Sequence, residues 1–100
     1  MQLAKVIGDV VVTRKDENLT GVKLLVLQPL SASGEPSGRT LVALDSVGAG
    51  VGETVLIVSG SSARMASGMK DCPVDAVIVG IIDSIEVPEF AEAGAARQER

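Results

Sequence analysis

The chain has 100 residues, the size of one small domain, and 46% of them are hydrophobic, which is enough to form a core. Phe90 is the only aromatic residue, and the net charge is −4. Proteins that bind single-stranded nucleic acids use basic grooves and stacking aromatic side chains, so this composition disfavours that function. It also lacks the basic face with which proteins bind anionic membranes.

Stretches rich in Val, Ile and Leu predict five β-strands, because β-branched residues favour extended structure. The predicted strands cover residues 3–13, 22–27, 39–45, 53–59 and 74–87. Gly8 predicts a bulge or a close approach of two backbones in the first strand, and Gly80 predicts a bend in the last. The second strand is apolar at nearly every position, as in a strand buried on both faces, and Lys23 marks its solvent-facing position.

Turn residues separate these strands. Residues 14–21 are polar and predict a loop, whereas residues 31–38 contain two glycines and a proline among serines and predict a hairpin loop. Gly48, Gly50 and Gly52 predict a turn with positive φ angles.

The segment after the fourth strand predicts a short helix. Ser61 or Ser62 would cap it, Gly68 would end it, and Pro73 prevents its continuation. Residues 88–100 are rich in Ala and Glu and form either a short helix or a frayed end.

These elements predict an all-β fold, a small closed or nearly closed antiparallel barrel of five strands with one short helix. The oligonucleotide-binding (OB) fold is a barrel of this kind. A shared architecture does not imply a shared function, and the aromatic residues for nucleic-acid binding are missing here.

The sequence offers few groups for catalysis or metal binding. It has no histidine and one cysteine, Cys72, which excludes an intrachain disulfide and the usual zinc ligand sets. The carboxylates at predicted strand ends and loops are interpreted as turn caps and solvated charges: Asp9, Asp45, Glu53, Asp71, Asp75 and Asp83. We therefore predict no catalytic residue, no metal site and no cofactor.

No targeting or membrane-spanning segment is predicted. The N-terminal residues lack a long apolar stretch followed by a cleavage site. The longest apolar run, residues 76–82, is far shorter than the ~20 residues that span a bilayer. We therefore expect a cytoplasmic protein that binds neither membrane nor nucleic acid.

The glycine-rich segment from Gly48 to Gly52 lacks the spacing of a dinucleotide-binding loop, and a strand rather than a helix is predicted to follow it. Its glycines are interpreted as turn residues. The functional alternative is a close approach to the backbone of a neighbouring subunit.

A second small-residue segment, Gly60-Ser61-Ser62-Ala63-Arg64, admits two interpretations. Its backbone amides, hydroxyls and guanidinium would suit an anion. The same groups would suit a carboxylate or carbonyl across a subunit interface, which is the favoured alternative because Arg is enriched at interfaces.

Several segments also match a family signature in order and spacing. They are MQLAKVIG at residues 1–8, LTGVKLL at 19–25, VALDSVGAG at 42–50, GETVL at 52–56, GSSAR at 60–64, PVD at 73–75 and VGIID at 79–83. Together they resemble the EutN/CcmL family of bacterial microcompartment vertex proteins. The resemblance extends over residues 1–87, whereas residues 65–72 look variable and residues 88–100 are not part of it.

The resemblance implies a domain over residues 1–87, a β-barrel related to the OB fold, and a C-terminal tail over residues 88–100. It implies a homopentamer at the five-fold corners of a carboxysome-like shell in the cytoplasm, with hexameric shell proteins on the facets and no catalysed reaction. The residues expected in subunit-contact or near-axis loops are Gly48, Ala49, Gly50, Gly52, Gly60, Ser61, Ser62, Ala63 and Arg64. On this expectation, replacing Arg64 with Ala weakens the ring.

The sequence leaves two other classes of function open. One is an OB-like barrel that binds an anion or single-stranded nucleic acid at Ser61, Ser62 and Arg64. The other is an enzyme, which the missing histidine and the lack of a nucleophile–base pair make the weakest hypothesis.

Overall fold

The computed structural model describes residues 1–13, 21–60, 63 and 75–87, and the structural statements below refer to these residues. They form five strands, and no helix among them is long and apolar enough to span a membrane. The strands are β1 (Gln2–Asp9), β2 (Lys23–Leu30), β3 (Leu41–Asp45), β4 (Thr54–Ser59) and β5 (Ala76–Ile82).

The five predicted strands are confirmed, but several of their ends differ. β1 ends at Asp9 and β5 at Ile82, so both are shorter than the apolar runs suggested. β2 continues through Pro29 to Leu30. β3 pairs with β2 only as far as Leu27. The edge of β2 that faces β3 therefore has no strand partner at Pro29, and the missing N–H of the proline breaks no hydrogen bond to β3. The predicted short helix over residues 61–68 lies outside the described residues apart from Ala63.

The strands form a closed barrel in the order β1-β2-β3-β5-β4, with β4 returning to β1. Strands β4, β1, β2 and β3 are antiparallel neighbours in the spatial order of a Greek key, and β5 closes the gap. β3 and β5 are parallel, so the prediction of a wholly antiparallel barrel was wrong at this pair. The reason is geometric, because an odd number of strands cannot alternate in direction around a closed ring.

The interior of the barrel is filled by alternate residues of each strand, as the period of a strand requires. Opposed positions across the strand pairs share the interior face. The interior cluster comprises Ala4, Val6, Leu25, Leu27, Ala43, Ala49, Val55, Ile57, Ala76 and Ile78. This core is entirely aliphatic, as the composition requires.

A second apolar cluster lies on the outer face of the barrel. Leu44, Val58 and Val77 alternate with interior residues on β3, β4 and β5, and they are buried together with Ala63. Val22, Leu24 and Val79 pack against them. Parts of three strands are therefore buried on both faces, which explains why their sequences are apolar at almost every position.

Two irregularities bend the strands where glycines predicted them. The pairing of β1 with β2 skips Ile7, immediately before Gly8, which confirms the predicted bulge. The pairing of β4 with β5 skips Val79, immediately before Gly80. A Cβ added at Gly8 would meet no atom within 4 Å, so Gly8 serves the bulge and not a close approach within the subunit.

Replacing Leu27 with Ala is expected to destabilise the fold by about 2–5 kcal/mol, because it leaves a cavity at a fully buried position. The measurement is urea unfolding at fixed protein concentration. Lys5→Ala, on the exposed outer face of β1, is the control and should change the free energy of unfolding by less than about 0.5 kcal/mol. Equal effects of the two variants would contradict the assignment of the interior face.

Candidate subunit-contact loop

The loop between β3 and β4, residues 46–53, carries four of the residues expected at a subunit contact: Gly48, Ala49, Gly50 and Gly52. It lies at the end of the barrel where β1, β3 and β5 finish and where β2 and β4 begin. We call this end of the barrel, with the chain segments that enter and leave it, the loop end.

Asp45 fixes the first half of this loop. Its Oδ1 accepts hydrogen bonds from the backbone N–H groups of Val47 and Gly48, each at 3.0 Å, and Gly48 has a φ of 82°. The Asp45 side chain is only 2% exposed, and its Oδ2 lies 3.9 Å from Nζ of Lys23. The same Nζ donates to the carbonyl of Ala49 at 3.0 Å. These bonds confirm that Asp45 is a turn cap, as predicted.

A tight turn of Gly50, Val51, Gly52 and Glu53 forms the second half of the loop. The backbone N–H of Glu53 donates to the Gly50 carbonyl at 3.1 Å, and Oε1 of Glu53 accepts from the Gly50 N–H at 2.7 Å. Gly52 has a φ of 97°, as the third residue of a type II turn requires. Positive φ is thus confirmed at Gly48 and Gly52 but wrong at Gly50.

Backbone and side-chain bonds tie the loop to three strands. Gly52 N–H donates to the Val6 carbonyl at 2.8 Å, and Val6 N–H donates to the Glu53 carbonyl at 2.9 Å. The hydroxyl of Ser46 donates to the Ile78 carbonyl at 2.7 Å. Together with the Lys23 contact, these bonds hold the loop on β1, β2 and β5.

Ala49 anchors the loop from within, because its side chain is fully buried in the interior cluster. Its side chain is therefore unavailable to a neighbouring subunit. The exposed apolar groups of the loop are instead Val47, at 39% exposure, and Val51, at 61%. Sequence reasoning singled out the glycines and missed these valines, although a valine between two turn glycines was itself a signal.

The second predicted contact segment lies at the opposite end of β4. Gly60 has a φ of 66° and donates its N–H to the Asp75 carbonyl at 2.9 Å, and Ala63 donates to the Gly60 carbonyl at 3.1 Å. Ala63 is fully buried in the outer cluster. Ser61, Ser62 and Arg64 lie outside the described residues, so the anion and interface hypotheses for them stay predictions. The two segments are separated by the length of β4, about 20 Å.

Within the part of the chain that the structure describes, no group of three or more His, Cys, Asp or Glu side chains is placed to hold a metal ion.

An open groove of about 490 Å³ runs along the loop end. It is lined by Asp9, Val10, Val11 and residues 21–24. Four of these residues are apolar, so its chemistry suits an apolar side chain better than a charged ligand.

Gly52→Ala is expected to cost about 1–2 kcal/mol of stability, because an L-residue is strained at this positive φ. Gly50→Ala is a matched control two residues away. A Cβ there would lie 3.7 Å from Oε1 of Glu53, which is ordinary van der Waals contact. Urea unfolding of the two variants compares them, and equal stability would contradict the turn geometry.

Comparisons with known proteins place this loop and barrel in context. The family model described as ethanolamine utilisation protein EutN/carboxysome matches residues 1–83. The carboxysome shell vertex protein CcmL of Synechocystis sp. is 56% identical over 87 residues, which is 87% of each chain.

Solved structures agree with the sequence comparison. The structure of CcmL from Gloeobacter violaceus superposes with a TM-score of 0.81 at 46% identity, covering 87% of this chain and 90% of that one. GrpN from Rhodospirillum rubrum, a pentameric microcompartment shell protein, superposes with a TM-score of 0.80 at 48% identity, covering 88% of this chain and all of that one. The family model's range of residues 1–83 includes all five strands and the β3–β4 loop, and the chain belongs to the EutN/CcmL family.

Proposed function

We propose that this protein is a structural subunit that forms a cyclic pentamer and caps the five-fold vertices of a bacterial microcompartment shell. The observation that carries the proposal is the match to GrpN, whose whole length superposes on 88% of this chain at a TM-score of 0.80. Two relatives are named shell vertex proteins: CcmL, which is 56% identical to this chain, and GrpN, which is 50% identical.

The surface of the isolated subunit supports assembly. Ten large hydrophobic side chains of the described residues are exposed, among them Val51 and Val11 at 61% and 88%. Exposed apolar groups that gather on one part of a surface are typical of protein interfaces. A ring of subunits would remove such groups from water.

The finer parts of the proposal concern chemistry and partners. We infer that the protein catalyses no reaction, since the sequence has no histidine and the Asp45 and Glu53 carboxylates are engaged by backbone N–H groups of their own loop. Its partners are hexameric shell proteins, with no nucleic acid or membrane, and its place is the cytoplasm. The names of the relatives give no support to the alternative of an anion- or nucleic-acid-binding barrel.

The proposed vertex domain spans residues 1–87, and residues 88–100 form an appended tail. The family model ends at residue 83, and GrpN is covered in full by 88% of this chain, which supports a boundary near residue 87. The domain therefore accounts for the barrel and its loops.

Native mass spectrometry of the purified protein is expected to give a species of five times the subunit mass of 10.2 kDa. A monomer or dimer at micromolar concentration would contradict the pentamer. Co-expression with hexameric shell proteins, followed by electron microscopy, tests the vertex role. Closed polyhedra should form with this subunit, whereas equally closed shells without it would contradict that role.

A further inference from the structure

The exposed apolar residues are distributed unevenly over the barrel. Eight of the ten large ones lie at the loop end, either in the β3–β4 loop, at the adjoining strand ends, or on segments that leave the barrel there. They are Ile7, Val11, Val12, Val47, Val51, Ile81, Ile85 and Val87. The other two are Met1 and Val42.

The loop end also presents an unpaired strand edge. β3 pairs with β5 only at Val77 and Ile78, so from Val79 to Ile82 the edge of β5 that faces away from β4 has no strand partner within the described ranges. Ile81, on this stretch, is 41% exposed. An exposed edge beside apolar side chains is a feature that monomeric proteins normally cover.

The valines of the β3–β4 loop are held on a fixed frame. Val47 follows the Asp45 cap, and Val51 occupies the turn closed by Gly50 and Glu53. Because these positions are set before any partner arrives, association would cost little loop entropy. The groove lined by Val10, Val11, Val22 and Leu24 adjoins them with further apolar surface.

A ring of five subunits requires two different contact faces on each subunit. Isologous contacts pair subunits two by two, so a closed ring with an odd number of members is built from heterologous contacts. The described residues offer one exposed large hydrophobic side chain on a strand away from the loop end, Val42 on the outer face of β3, at 47% exposure. The half-buried Val26 of β2 lies directly opposite it.

Resting on the proposed pentamer, we propose that the loop end of one subunit packs against the outer β2–β3 face of the next, with Val51 and Val42 near the centre of the contact. The occupant of the loop end is thus a second copy of this chain. The charges are complementary, since Asp9, Glu53 and Asp83 are exposed at the loop end and Arg39 is exposed shortly before Val42. Lys23, an exposed cation at the loop end, already contacts Asp45 and the Ala49 carbonyl.

Native mass spectrometry of point variants tests the two faces separately. Val51→Asp and Val42→Asp each place a carboxylate in the contact and are expected to abolish the five-subunit species. Ser33→Asp adds the same charge in the exposed β2–β3 hairpin loop, outside both faces, and should remain pentameric. Circular dichroism of each variant verifies that the barrel is folded, and a misfolded variant is replaced by Val51→Ser or Val42→Ser.

Cross-linking tests whether the two faces meet. In a Cys72→Ser background, a chain with both Val51→Cys and Val42→Cys should give a covalent ladder up to pentamer with a short bis-maleimide. Each single-cysteine chain should give no ladder beyond dimer.

The outcomes separate this inference from the proposed function. A wild-type monomer would overturn the pentamer itself. A wild-type pentamer with both Asp variants still pentameric, or with only one of them dissociated, would overturn the pairing of these faces while leaving the pentamer intact. Absence of the ladder in a pentameric double-cysteine chain would overturn it as well.

Discussion

Closure of the barrel between β3 and β5 is the constraint on which the rest of the structure depends. Among the five described strands it is the one parallel pair, and its register contains two residue pairs, whereas β4 and β5 share six. The Ser46 hydroxyl extends this seam by donating to the Ile78 carbonyl. The outer cluster of Leu44, Val58 and Val77 packs across it, so apolar burial on the outer face compensates for few backbone bonds.

The same seam sets the shape of the candidate contact loop. Asp45 ends β3 at the seam, caps the following turn and lies near Lys23 of β2, while Ala49 inserts into the interior cluster. Once Ala49 points inward and Gly52 adopts a positive φ, the valines on either side are left on the surface. Their exposure is a consequence of how the loop is anchored, and a chain with a different anchor would present different residues to its neighbours.

Much of the barrel could be predicted from the sequence, because local chemistry determines it. Apolar runs located the five strands, Gly8 predicted the bulge in β1, and Gly52 predicted the turn between β3 and β4. The true ends of β1 and β5 depend on where partner strands stop, which the runs do not encode. Strand propensities carry no information about strand direction, so the parallel pair of β3 and β5 was not predicted, although any closed ring with an odd number of strands contains one.

At the loop, glycine spacing identified the turn, but the inward direction of Ala49 and the exposure of Val51 are tertiary results. The predicted roles of Ser61, Ser62 and Arg64 stay predictions.

Assembly and folding are coupled in a subunit of this composition. Its fully buried side chains are no larger than Leu and Ile, and the interior cluster includes four alanines. Each core residue therefore buries only a modest apolar area on folding. Several Val and Ile residues remain exposed in the isolated subunit. Burial of these groups in a ring would stabilise the folded state by mass action, since the unfolded chain has no such surface. In the proposed ring, a chain without aromatic residues in its barrel would thus place part of its hydrophobic stabilisation at the contact between subunits.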